Sequence, residues 1–185
     1  FPSTEEDART WKLTAPLMPS RSATSRDEDD QLMYHTETRL PDGTHGILID
    51  PGSVGNLSGD AWSLDVAKAS QQAGRKPAQT KRDRPLTVSG VGNGSQDATH
   101  NVKLPVCFKQ LDGTCTSGIF DTPAVGNSDL PGLLGLQSLR HLNAVLDFRT
   151  NQLHFVGPGD FNLGDALPSG SESYQLTTAP SGHLL

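Results

Sequence analysis

The chain is short of aromatic residues, of long apolar runs and of cysteine. Of its 185 residues, 5% are aromatic, 34% are hydrophobic and two are cysteine. No stretch approaches the ~20 consecutive apolar residues needed to span a bilayer as a helix, which excludes a helical membrane protein. Heptads are absent, and 19 glycines and 13 prolines interrupt the chain too often for a coiled coil or helical bundle. Two cysteines do not make a disulfide scaffold. They fit a reducing compartment, with Cys107 as a small buried strand residue rather than a nucleophile. There is no Gly-x-Ser-x-Gly elbow and no Gly-Lys-[Ser/Thr] phosphate loop. The six histidines (35, 45, 100, 141, 154 and 183) lie far apart without metal-ligand spacing. Neither a metal site nor a cofactor is expected.

A net charge of −6 argues against nucleic acid as the main partner. The charge is uneven. Residues 1–30 hold seven acids against four bases, while residues 75–84 hold five bases (Arg75, Lys76, Lys81, Arg82, Arg84) against Asp83 alone. The basic run reads as a solvated loop. The length suits one domain of ~100–150 residues with tails. The division expected is a disordered polar flank over 1–30, a folded domain over 31–160 and a flexible tail over 161–185. The start, Phe1-Pro2-Ser3-Thr4, has no signal-peptide pattern and no initiator Met, so a piece of a longer chain is expected. The sequons Asn56-Leu57-Ser58 and Asn93-Gly94-Ser95 read as chance.

Period-two patterns dominate the middle of the chain. A short strand is expected around Leu32-Met33-Tyr34. Gly46-Ile47-Leu48-Ile49 reads as a buried strand ending at Asp50, with Pro51-Gly52 forcing a turn. A helix comes next, capped by Ser58 or Asp60 and ended by Gly74, with Trp62, Val66, Ala69 and Ala73 on one face. Leu86 and Val88, then Val102, Leu104, Val106 and Phe108, alternate as two hairpin arms around Gly90-Val91-Gly92-Asn93-Gly94-Ser95. A second hairpin is expected at Asp112-Gly113, a strand over 119–126 and a short helix from Leu136 to Leu142. A last hairpin is expected between Ala144–Phe148 and Gln152–Val156, and a tail strand at Tyr174-Gln175-Leu176. The fold class expected is all-β with one or two short helices.

Two elements invite chemistry. An aspartate at the end of a buried strand, on a glycine turn, is presented rigidly at a surface; this is Asp50-Pro51-Gly52-Ser53. The bland alternative is a solvated Asp in a surface turn. Gly-x-Gly-x-Gly over 90–94 is no nucleotide loop, because the residues after it alternate with period two instead of opening a helix. Its functional reading is a mobile flap closing over a substrate; its bland reading is a plain hairpin. Asp121-Thr122-Pro123 lacks a glycine and reads as structural, as does Asp147 in the last hairpin.

Ile47–Ser53, the glycine-rich hairpin Val88–Gln96, and Leu133-Leu134-Gly135-Leu136 with Ala144–Phe148 stand in the order found in retropepsin-like aspartic proteases. The chain resembles most the copia-type retrotransposon polyprotein proteases, over about residues 44–160. The resemblance implies a small closed β-barrel, active as a homodimer on a peptide or polyprotein substrate, in an intracellular retroelement particle. It implies that Asp50 is the catalytic aspartate and that Gly52 makes the tight turn with its N–H facing a carboxylate. Ser53 would support Asp50 by a hydrogen bond. Gly90, Val91, Gly92, Asn93 and Gly94 would form the flap, and Leu133, Leu134 and Gly135 an apolar loop behind the turn. Residues 174–185 are a candidate dimer strand. Pro51 departs from the Thr or Ser usual in the family. Two alternatives stay open: a protease-like fold without activity, serving dimerisation or peptide binding, and an unrelated small β domain that binds a partner through an edge strand.

Overall fold

The computed structural model describes residues 38–89, 94–159 and 161–185. The strand expected at Leu32-Met33-Tyr34 lies outside them. The described residues form a mostly β structure of eight strands and three helices, and none of these helices is long and apolar enough to cross a membrane.

The strands fall into three sheets. β1 (Ile47–Asp50) pairs in parallel with β6 (Gly132–Gly135). β2 (Ser58–Gly59), β3 (Ala78–Ser89), β4 (Ser95–Lys109) and β5 (Cys115–Val125) form a four-stranded sheet in the order β2-β5-β4-β3. β7 (Ala144–Asp147) and β8 (Gln152–Phe155) make a separate hairpin. None of these sheets closes on itself, so the closed barrel expected from the resemblance is replaced by three open sheets.

Alternation builds the large sheet. On β4, Val102 and Leu104 point inward opposite Thr122 and Phe120 of β5. Lys103 and Asp121 take the outer face and pair at 3.6 Å. Helix α1 (Asp60–Gln72) lies on the inner face. Its Trp62 ring stands edge-on to Phe120, with centroids 5.8 Å apart and planes at 79°. Burying side chains of this size stabilises the fold by about 1.5–3 kcal/mol each. Leu134 of β6 and Leu139 of helix α2 (Leu136–His141) close the same core, and a smaller cluster joins Leu57, Ala98, Val125 and Leu133.

The helix start differs from expectation. The residue at the N-cap is Gly59, without a side-chain cap. Ser58 is instead buried and hydrogen-bonded to the Ser63 hydroxyl at 2.8 Å. The buried face runs Trp62, Ser63, Val66 and Ser70, while Ala69 and Ala73 are exposed. Two serines take the place of the alanines because each finds a partner; Ser70 donates to the Pro105 carbonyl at 2.7 Å.

Three further expectations change. The basic run is a loop only at its start: Arg75 and Lys76 are exposed in the connection before β3, while Lys81, Arg82 and Arg84 lie on β3, which occupies the free edge of the sheet and shifts register between Lys81 and Leu86. Charge, Pro85 and a bulge are the usual means of keeping an edge strand from pairing further. Leu133, Leu134 and Gly135 are a strand, not a loop. Cys107 is exposed, and it is joined to Cys115 across the far end of the β4–β5 hairpin, with a Cα–Cα distance of 5.9 Å.

The turn at Asp112-Gly113 forms as expected, with Gly113 at φ +84° and Asp112 accepting from the Thr114 N–H and hydroxyl. The tail carries a single helical turn, α3 (Leu163–Ala166), and a small hairpin over 177–185. No strand forms at Tyr174-Gln175-Leu176, and strand pairing begins after it, at Thr177 and Thr178.

Candidate active site

β1 ends at Asp50, whose rung in the parallel ladder is shared with Gly135. Ile47 and Ile49 pack against the main core, and Leu48 points to the other side. The chain then turns sharply: the Ser53 N–H donates to the Asp50 carbonyl at 3.2 Å. The Gly52 N–H donates to Asp50 Oδ1 at 2.9 Å. A Cβ on Gly52 would lie 3.1 Å from that same oxygen. Glycine is thus favoured here by the close approach of the carboxylate. Asp50 is half-buried, while Pro51 and Gly52 are exposed at the apex.

Ser53 does not support Asp50 through its side chain. Its hydroxyl donates to the Gly55 carbonyl at 2.7 Å and so closes the turn on itself. The turn is held from behind by helix α2, whose first amides, on Leu136 and Gln137, donate to the Ser53 and Val54 carbonyls at 2.8 and 2.9 Å. Those amides are among the orphan donors of a helix start, so the turn and the helix satisfy each other.

Asn56 is the residue that sequence reasoning missed. Its Oδ1 accepts from the Gly135 N–H at 3.0 Å and from the Ser138 hydroxyl at 2.9 Å. Its Nδ2 donates to the Asp121 carbonyl at 3.0 Å. One side chain therefore ties the chain just after the Asp50 turn to β6, α2 and β5. The only signal in the sequence was its place in a sequon, which pointed elsewhere. Leu133 and Leu134 are buried on opposite sides of β6, one in each apolar cluster.

Asp50 opens onto a cleft of about 690 Å³. Leu48, Leu57, Leu130 and Leu133 line it on one side, and Leu86, Thr87, Val88 and Ser89 of β3 on another. Asp50 is the only carboxylate among the lining residues. The β3 segment is the first arm of the glycine-rich hairpin, whose arms close with the Ser89–Ser95 pair and with Gly94 at φ +95°. Gly90, Val91, Gly92 and Asn93 lie outside the described residues. The structure thus brings the first arm of the expected flap and Asp50 to one cleft.

His183 also lines this cleft, and it too was not expected. It reaches the Gly52 carbonyl at 3.0 Å from the C-terminal hairpin.

A second cavity, of about 660 Å³, lies between α1 and the start of β3, with Leu64, Pro77 and Val102 in its walls. Two carboxylates line it, Asp60 and Asp129, and Asp60 is already engaged by the Asn127 and Ser128 N–H groups at 2.9 and 3.1 Å. Partial burial pushes the Asp60 carboxyl up, but these backbone donors outweigh it and hold the group below the usual carboxylate range. Among the described residues no cluster of three His, Cys, Asp or Glu could hold a metal ion. Asp121 and Asp147 are occupied structurally, Asp121 with Lys103 and Asp147 with the Arg149 N–H and the Thr150 hydroxyl.

No protein-family model matches this chain and no curated protein matches its sequence, so its functional reading rests on the geometry of the Asp50 turn.

Proposed function

We propose that the chain is one subunit of an aspartic endopeptidase of the retropepsin type, cutting a polyprotein of a retroelement. The observation that carries this reading is the Asp50 carboxylate. It receives the Gly52 N–H within a turn braced by a parallel strand and a helix start, and it faces a cleft of mixed polar and apolar lining walled by a hairpin arm. A solvated surface turn has no need of such bracing.

A single carboxylate is half of the chemistry. Two copies of the chain bring two Asp50 side chains together across a two-fold axis. Carboxylates about 3 Å apart cannot both ionise easily, so the pair shares one proton. The ionised partner takes a proton from a water molecule held between them. The water oxygen attacks the peptide carbonyl carbon as the protonated partner gives its proton to the carbonyl oxygen. The resulting diol collapses, the C–N bond breaks, and the amine nitrogen leaves with a proton. No covalent enzyme intermediate forms, and the dyad titrates as a unit.

Pro51 favours a second reading. It has neither a hydroxyl nor an N–H with which to brace the opposite turn in a dimer, and it is exposed at the apex. On that reading the fold pairs or binds peptides without cutting them.

The test is cleavage of a peptide library at mildly acidic pH by the intact chain, with and without pepstatin, beside Asp50→Asn. Cleavage lost with Asp50→Asn and blocked by pepstatin is expected. Cleavage that survives the substitution removes the assignment, and a dimeric wild type that cuts nothing selects the second reading.

A further inference from the structure

The most unexpected neighbour of the Asp50 turn is the chain's own C-terminus. Residues 177–185 form a hairpin closed by their own backbone. Thr177 and Leu185 exchange both hydrogen bonds, at 2.9 and 2.8 Å, and Ala179 N–H donates to the His183 carbonyl at 2.9 Å. Gly182 makes the bend at φ +92°, a conformation open to glycine but costly for other residues. The element therefore arrives at the turn already shaped.

Its contacts with the body are few and directed. His183 Nε2 lies 3.0 Å from the Gly52 carbonyl, which only accepts, so Nε2 carries the proton. In the neutral ring Nδ1 then accepts from the Ser181 hydroxyl at 2.9 Å. Gly182 lies against Val54, with room for little more: a Cβ there would come 3.2 Å from Val54 Cγ1. Arg140 of α2 adds a bond to the Thr178 hydroxyl at 3.3 Å. Leu185 stays largely exposed, so no apolar plug seals the hairpin down.

We propose that this hairpin is a latch that competes with a second copy of the chain for the face of the active-site turn. Gly52 is two residues from Asp50. Two turns whose carboxylates approach to about 3 Å must bring their apices together, and here each apex carbonyl is covered by its own His183. A latch held by one imidazole, one glycine contact and one arginine opens without unfolding the body, and pairing of two chains then displaces it. The competition rests on the paired Asp50 turns of the reading proposed above, and its consequence for catalysis rests in addition on the proteolytic activity.

The experiment measures self-association of the intact chain by sedimentation, in an Asp50→Asn background that removes self-cleavage. His183→Ala and Gly182→Val loosen the latch in different ways, and a chain ending at Pro180 removes its second arm. Loss of one hydrogen bond to the turn is expected to tighten association about fivefold, with the truncated chain tightening at least as much and thermal melting of the monomer unchanged. Unchanged or weaker association in all three overturns the proposal, as does a chain that never associates in any form. Tighter association in the absence of any peptide cleavage by the Asp50 forms leaves the latch standing and removes the protease. Asp50-dependent cleavage with unaltered association does the reverse.

Discussion

Asp50 and Gly135 share the last rung of the parallel β1–β6 ladder. The aspartate sits where the strand ends, and the glycine sits where helix α2 begins. A Cβ on Gly135 would overlap the Gly55 carbonyl on the far side of the turn. The glycine thus lets two stretches of backbone approach at the point where the carboxylate is presented.

Gly135→Ala is expected to push the turn away from β6. The obstacle is backbone, which does not yield as the end of a side chain would, so a loss of about 1–3 kcal/mol is expected. Denaturant midpoints measure it, and any activity that depends on Asp50 falls further than stability does.

Asn56→Ala removes three hydrogen bonds at once and strands the Gly135 N–H, the Ser138 hydroxyl and the Asp121 carbonyl. A cost of about 2–3 kcal/mol is expected in a half-buried position, because groups left without partners lose more than the bond itself. Faster amide exchange at Gly135, against an unchanged rate in the β7–β8 hairpin, would locate the effect. Equal rates at Gly135 would contradict it.

Asp60 confers a pH dependence of definite sign. Its carboxyl is held below its ordinary value in the folded chain by backbone donors acting against burial. A depressed folded value means that the group stabilises the fold fully above the ordinary carboxylate range, about pH 4. That contribution is lost as pH falls through the folded value. Asp60→Asn is therefore expected to be less stable than wild type near neutrality and to converge with it in acid, as read from melting temperatures at a series of pH values. A constant gap across the series would contradict the assignment.

Pro51→Thr supplies the hydroxyl and N–H that the apex lacks. Pro51 is exposed and packs into neither apolar cluster, so the fold is expected to tolerate the change. Self-association is expected to strengthen, and a weaker dimer by sedimentation would sink this idea.

The link between Cys107 and Cys115 closes a short loop at the end of the β4–β5 hairpin, away from the cleft residues. Reduction, or Cys107→Ser, is expected to cost at most about 2 kcal/mol. Peptide binding at the Asp50 cleft is expected to stay unchanged, and a parallel loss of both would show the hairpin end to be coupled to the site.

Strong local patterns were legible from the residues. Period two across Val102–Phe108 and the Asn-Gly and Asp-Gly turns located β4 and its two hairpins, and the apolar run before Asp50 located β1. What escaped was set by partners distant in the chain. Ala69 and Ala73 looked like a helix face, but the sheet buried Ser63 and Ser70 because each had an acceptor or donor waiting. Lys81, Arg82 and Arg84 looked like loop, since β3 is largely exposed on both faces over this stretch and carries no apolar alternation. Leu133-Leu134-Gly135 is too short for a period to distinguish strand from loop. Asn56 and His183 act through backbone groups 79 and 131 residues away, and no spacing rule reaches that far.

The parallel pairing of β1 with β6 also has a meaning in time. Asp50 belongs to the first described strand, while Gly135 and the helix amides that brace its turn come much later in the chain. Synthesis delivers the aspartate well before its frame, and pairing at this separation is slow to close. A nascent or truncated chain ending before residue 135 carries the acid group without the ladder, the helix start or the Asn56 clamp. Completion of the domain is in that sense the first checkpoint on the proposed chemistry, ahead of the proposed pairing of two chains.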